Sequence, residues 1–135
     1  MTVKEYLYQI QKYEDAMKDI QTEIKKLKPM LGVRSMDYSS DRVQTSPDGQ
    51  GFTRIADHIA DLELDVVNYS RKRQQIVRMI EALPIMHSKV LFDIYVLHMA
   101  SLDDVAEDLC MSYGRVSHLH TEALQKFDER YKVSN

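Results

Sequence analysis

Side chains that could recognise DNA are concentrated between residues 112 and 121. The guanidinium of Arg115 can donate two parallel hydrogen bonds to the O6 and N7 acceptors of guanine, and a contact to phosphate alone is an equal alternative. The hydroxyls of Ser112 or Ser117 can reach a phosphate oxygen. We therefore predict non-covalent contact with double-stranded DNA. The predicted contact set is Ser112, Tyr113, Gly114, Arg115, Ser117, His118 and Thr121.

Two short helices joined by a tight turn are predicted over Ser101–Phe127, and they would position this set. Ser101 can cap the first helix, with Asp104 completing a spacing like that of a capping box, and Ser112 can cap the second. Apolar residues recur at helical spacing at Leu102, Val105, Ala106, Leu109, Met111, Val116 and Leu119. In a DNA-binding helix-turn-helix, the second helix, here about residues 112–127, enters the major groove. A hairpin that serves stability, or one that binds protein, is the alternative.

Cys110 stands in the turn between these two helices, where such motifs usually have glycine. Glycine is favoured there because the position tends to need a positive φ. A cysteine at this position predicts either mild strain or a different turn geometry. Cys110 is also the only cysteine of the chain, which excludes an intrachain disulfide and favours a cytoplasmic setting.

Two long heptad repeats precede the motif and predict coiled-coil helices. The first repeat consists of Val3, Ile10, Met17, Ile24 and Leu31, alternating with Tyr6, Tyr13, Ile20 and Leu27. The second consists of Ile55, Leu62, Tyr69, Ile76 and Leu83, alternating with Ile59, Val66 and Ile80. Pro29 and Pro84 are expected to end these helices. Residues 32–52 show no helical period and predict a polar loop, with a turn at residues 46–49.

The two repeats have similar lengths and predict an antiparallel hairpin, although pairing between two chains fits the pattern equally well. Because a lone hairpin buries apolar side chains on one side only, we expect a homodimer. A third helix is predicted over 85–98, and it would complete a three-helix unit with the motif. Its core candidates are Val90, Leu91, Ile94, Tyr95 and Leu97.

Composition and charge narrow the function classes. The chain has 135 residues, a net charge of −3, no apolar run long enough for a membrane span and no apolar core of a secretion signal near its beginning. Residues 84–135 carry five Lys/Arg and eight Asp/Glu, so a monomer should bind DNA weakly. His118 and His120 do not share a helix face, and the sequence has no glycine-rich phosphate loop. We expect no metal, no cofactor, no small-molecule substrate and no enzymatic activity.

The order of these parts resembles a known family. The relevant residues are Val90-Leu91 with Tyr95, Asp104-Val105-Ala106 with Leu109, Met111-Ser112 with Val116, and His118-Leu119-His120 with Ala123-Leu124 and Phe127. They resemble the region 4 helix-turn-helix of sigma-70 factors and, more closely, the ArpU/RinA-like transcriptional regulators of phages and prophages of Gram-positive bacteria. The polar loop also looks like that family's loop. The resemblance implies a role in transcription of phage late genes or in transfer of chromosomal islands.

The sequence thus predicts an all-α protein, with a long helical hairpin at 1–83 followed by a sigma region 4-like helix-turn-helix unit at 84–135. The predicted function is sequence-specific transcriptional regulation in the cytoplasm of a bacterial host. One alternative is an interaction factor that acts on RNA polymerase and reads no bases. Another is a packaging protein of the small-terminase kind, although there the DNA-binding motif usually precedes the oligomerising helices.

Overall fold

The computed structural model describes residues 1–41 and 45–134, and it contains no strand in that part of the chain. The predicted all-α class is therefore confirmed. The helices are α1 (Val3–Asp41), α2 (Thr45–Glu81), α3 (Ile85–Leu91), which continues as a π-helical turn (Phe92–Val96), α4 (Leu102–Leu109) and α5 (Tyr113–Tyr131). None of these helices, over the described residues, is long and apolar enough to cross a membrane.

The chain divides into two compact units. One, the terminal unit, comprises Met1–Tyr13 and Arg71–Asn135, and the other, the hairpin unit, comprises Glu14–Ser70. These units do not coincide with the predicted division at residues 83 and 84, because the start of α1 packs into the same core as the C-terminal helices.

The core of the terminal unit joins residues from both ends of the chain. Leu7 and Ile10 of α1 are fully buried in one cluster with Ile80, Leu91 and Phe127. Pairing of α1 with α2 here occurs within one chain, since the Tyr6 hydroxyl lies 3.5 Å from the Met79 sulfur and the Lys72 amine lies 6.0 Å from the Tyr13 ring centroid. The Tyr131 hydroxyl donates to the Met79 carbonyl at 3.1 Å, which attaches the end of α5 to α2.

The hairpin unit has a smaller core. Only Ile24, Ile59 and Leu62 form its buried cluster among the described residues, and Ile20, Leu27, Leu31 and Ile55 pack against them half-buried. Glu23 and His58 lie 3.4 Å apart across the two helices. The heptad repeats therefore pair α1 with α2 inside one chain in this unit as well.

The predicted polar loop at 32–52 is wrong over most of its length. Pro29 lies inside α1, which continues to Asp41, and residues 46–49 belong to the start of α2 instead of a turn. A proline restricts its predecessor without forbidding a helix, and Pro47 falls in a first helical turn, where its missing N–H needs no partner. Residues 42–44, the rest of the predicted loop, lie outside the described residues.

Because of the π-helical turn after α3, one of the predicted core positions is wrong. The Leu97 N–H donates to the Phe92 carbonyl at 3.0 Å, which adds about one residue to the turn. This extra residue rotates the following side chains, so Val96 is buried while Leu97, a predicted core residue, is 54% exposed. The helix also ends at Val96 rather than at residue 98, and His98 has a positive φ of 57°.

Candidate nucleic-acid interface

A separate apolar cluster holds α4 against α5. Val90, Val105 and Val116 are fully buried in it, with Ala106 and Leu119 nearly so. Ala106 is small, which permits close approach of the two helices. The predicted apolar positions Leu102, Leu109 and Met111 pack against this cluster half-buried. The relative placement of α4 and α5 is therefore set by packing.

Both helices begin at serines, as the sequence predicts. The Ser101 hydroxyl accepts from the Asp104 N–H at 3.2 Å, and the Ser112 hydroxyl accepts from the Arg115 N–H at 3.2 Å. Each cap satisfies one backbone donor that the first helical turn leaves without an intrahelical acceptor. Ser112 consequently fixes the residue at which α5 starts and the orientation of the exposed residues that follow it.

The three-residue connection between α4 and α5 contains the expected positive φ. Cys110 has φ 56° and ψ 47°, the left-handed conformation in which a Cβ approaches backbone oxygen. Its N–H donates to the Glu107 carbonyl at 3.3 Å, and the Met111 N–H donates to the Ala106 carbonyl at 2.9 Å. Of the two alternatives for Cys110, strain in an unchanged turn is therefore the one observed.

Replacing Cys110 with glycine should stabilise the protein. A Cβ in this conformation costs about 1–2 kcal/mol, and the larger entropy that glycine loses on folding offsets part of the gain, so we expect about 1 kcal/mol. Urea unfolding under reducing conditions measures this change in the free energy of unfolding. Cys110→Ala is the matched control, because it removes the thiol and keeps the Cβ. A glycine variant no more stable than the alanine variant would contradict the strain assigned to this turn.

The predicted contact residues occupy the first turns of α5. Tyr113 is 55% exposed, Arg115, His118 and Thr121 are exposed, and Ser117 is half-buried. Apart from the adjacent residues and the nearby backbone of α5, no described atom lies within 4 Å of a Cβ added at Gly114, so a ligand could approach the backbone closely there. Of the seven residues, Ser112 alone acts as a cap.

The imidazole of His118 is paired with the carboxylate of Glu122, which is not among the predicted contact residues. This imidazole contacts one carboxylate oxygen of Glu122, and the other oxygen lies 3.2 Å from the Nε2 of His87 on α3. The hydrogen bond from His87, followed by the charge of His118, holds the pKa of Glu122 below its usual range. Glu122 therefore adds a fixed negative charge beside the predicted contact residues.

His120 points to the opposite side of α5 from His118. Its Nε2 lies 3.0 Å from the Tyr95 hydroxyl, and Tyr95 stacks edge-on against Tyr8 at a centroid distance of 5.2 Å. Burial, followed by the charge of Lys4, lowers the pKa of His120, so a neutral ring can accept the hydrogen bond from Tyr95. His120 is thus half-buried on the side of α5 that faces Tyr95, away from His118, and this agrees with the prediction that the two histidines do not share a helix face.

The predicted contact set omits two neighbouring residues, Gln125 and Glu122, although the sequence contains a signal for each. Gln125 shares a helical face with Gly114, His118 and Thr121, since their spacing follows the helical period, and it is exposed. The spacing of four residues between His118 and Glu122 is that of a helical ion pair. The contact between His87 and Glu122 has no comparable signal, because 35 residues separate the two.

Half of the eight acidic residues in the segment 84–135 lie on α4. Asp103, Asp104, Glu107 and Asp108 are all exposed there. On α5 the cations Arg115, Lys126 and Arg130 are balanced by Glu122, Asp128 and Glu129. The candidate interface therefore has no strong positive potential, and any DNA affinity must come mainly from specific contacts at α5.

In the described part of the chain, no group of three His, Cys, Asp or Glu side chains is arranged to hold a metal ion. Comparison of the chain with protein-family models, with curated proteins and with solved structures gives no match.

Proposed function

We propose that this chain is a sequence-specific DNA-binding regulator of transcription. The first turns of α5 would enter the major groove, with Arg115 reading a base edge and Ser117 and Thr121 nearby. The observation that carries the proposal is the set of exposed side chains on α5, which the packing against α4 and the Ser112 cap hold in a fixed orientation. These side chains are Tyr113, Arg115, His118 and Thr121.

Two features of α5 support this function over a purely structural hairpin. The surface around Gly114 is open, so the helix backbone could lie close to a nucleic acid. Helix N-termini also attract phosphate, because their first N–H groups and the helix dipole both favour an anion. A hairpin that served stability alone would have no need for an exposed tyrosine and arginine at this end.

The resemblance to phage regulators with a sigma region 4-like unit supports the same proposal, and a cytoplasmic homodimer acting on paired half-sites would fit it. The second candidate function is contact with RNA polymerase without base readout. The four exposed carboxylates of α4 favour that candidate, because they would repel DNA phosphates and attract a basic protein surface.

Selection of bound sequences from random duplex DNA at low salt tests the proposal. We expect one enriched motif with the unchanged protein and no enrichment with Gly114→Glu, which adds bulk and a negative charge on the open face of α5. The variant should fold, because the new Cβ meets no described atom within 4 Å beyond its adjacent residues and the nearby backbone of α5, and because an acid near a helix N-terminus is favourable.

Ile85→Glu is the matched control. It changes the net charge of the terminal unit equally, at a position that is 69% exposed and lies on α3. Retained enrichment with Ile85→Glu and its loss with Gly114→Glu would support groove entry by α5. No enrichment with the unchanged, folded protein would reject DNA reading by the free protein and favour the polymerase-binding candidate.

A further inference from the structure

A groove of about 640 Å³ runs between α1 and α2 in the hairpin unit. Its α1 wall carries three lysines, Lys18, Lys25 and Lys28, and its α2 wall carries Val66 and Val67 with one acid, Glu63. Such a surface offers apolar contact area flanked by positive charge. It suits an elongated partner whose own face combines apolar and acidic side chains.

The hairpin unit exposes more apolar surface than two helices can cover. Leu64 is 59% exposed and Val67 is 50% exposed, and they lie three positions apart on α2. A two-helix arrangement buries one stripe of each helix and leaves the remaining faces in water. The small buried cluster of this unit indicates that a partner would add to its stability.

An acidic and apolar face of the required kind lies on α2 itself. Asp57, Asp61 and Leu64 are exposed and recur at helical spacing, so they share one side of α2. Residues 55–70 contain four Asp/Glu and no Lys or Arg. Over the described residues, no hydrogen bond or ion pair is recorded for the side-chain carboxylates of Asp57 and Asp61 or for the side-chain amines of the three groove lysines.

We propose that this groove binds α2 of a second copy of the chain. Leu64 of one copy would enter the groove beside Val66 and Val67 of the other, while Asp57 and Asp61 would face the lysine row. Because each hairpin unit carries both the groove and the complementary face, the contact forms twice around a two-fold axis, as in an isologous dimer. Apolar area supplies the affinity, and the charges select the orientation.

Light scattering of the full chain after size exclusion tests this inference without DNA. Val67→Lys removes apolar contact area and adds a cation to a groove lined by three lysines and one acid, Glu63, and we expect it to weaken dimerisation by about tenfold or more. Met30→Lys is the matched control, because Met30 is 51% exposed on α1 and is not among the groove-lining residues. Circular dichroism would verify that both variants keep their helix content.

A charge-exchange experiment identifies the occupant. Lys18→Glu with Lys25→Glu in one chain, and Asp57→Lys with Asp61→Lys in another, should each weaken self-association, and mixing the two chains should restore dimers. Equal masses for Val67→Lys and the unchanged protein, or no dimer from the mixture, would overturn the proposal. A monomeric unchanged protein at about 100 µM would overturn it too and would leave the groove to another partner. None of these results depends on whether α5 binds DNA.

Discussion

Asp93→Asn is expected to stabilise the protein by about 1–3 kcal/mol at pH 8 and by about half as much at pH 5. Asp93 belongs to the π-helical turn and is 5% exposed. Burial, then a hydrogen bond with Asp108 and the charge of that residue, raises the pKa of Asp93 from 3.8 to about 6. A carboxylate at pH 8 is therefore buried beside a second carboxylate.

The pH dependence follows from the sign of this change. Because the pKa is higher in the folded state, folding takes up a proton. The contribution of this proton to the stability of the folded state is complete below about pH 3.8 and is lost as the pH rises through about 6. A difference of about two pKa units corresponds to about 3 kcal/mol. Asparagine does not titrate, so its variant avoids this loss. Its amide can donate to Asp108, with the carbonyl oxygen at the buried position where Oδ2 has no partner among the described residues.

Urea unfolding at pH 5 and pH 8 measures the effect. Asp108→Asn is the matched control, because it removes the second charge and leaves Asp93 buried, and we expect it to give a smaller gain at pH 8. A loss of stability for Asp93→Asn that is equal at both pH values would contradict the prediction. That result would mean that the carboxylate makes a favourable contact which asparagine cannot replace.

The helices were the most predictable part of this molecule, because helical periodicity depends only on local spacing. The heptad repeats place Ile10, Ile24, Ile59 and Ile80 correctly in the interior. They omit Leu7, which is fully buried because it joins a cluster with α3 and α5 that comes from distant parts of the chain. A repeat reports the face toward one partner helix, whereas a core in which several helices meet buries a wider face.

The polar segment after Pro29 was predicted wrongly for a different reason. Serine, aspartate and glycine lower helix propensity by at most about 1 kcal/mol each, and such preferences are weak compared with the continuation of a helix already formed. The π-helical turn could not be predicted from the sequence either, because no residue pattern in Phe92–Val96 distinguishes it from an α-helical turn. Regular helical spacing consequently predicts Leu97 in the core, whereas Val96 is the residue buried there.

The candidate interface was predictable in its outline and not in its charges. Serine caps and apolar spacing place the start of α5 and its exposed side, and both are local properties of the sequence. The ion pairs of Glu122 with His118 and His87 depend on how α3 lies against α5, which spacing along the chain does not give. Arg115 is therefore the cation of the predicted set that has no carboxylate recorded beside it in the described part of the chain.

Arg115→Ala is expected to weaken binding to the selected DNA sequence by about 10- to 100-fold and to relax the preference at one base pair. An arginine that donates two hydrogen bonds to guanine adds binding free energy for sequences with that guanine and little for other sequences. A phosphate contact would instead contribute equally to all sequences, and its loss would lower the salt dependence of binding by about one unit of slope. Fluorescence anisotropy on the selected duplex and on a scrambled duplex, over a range of salt, separates the two.

Arg115→Lys is the decisive companion, because lysine keeps the charge and loses the planar two-donor fork. Base readout predicts that lysine behaves like alanine on the selected sequence, whereas a phosphate contact predicts nearly full binding. Neither variant should disturb the fold, since the Ser112 hydroxyl accepts from the backbone N–H of residue 115 and the side chain is exposed. Arg78→Ala, on the exposed side of α2, controls for the loss of one positive charge. If Arg78→Ala weakens binding as much as Arg115→Ala, the affinity reflects net charge, and α5 does not read the sequence through this residue.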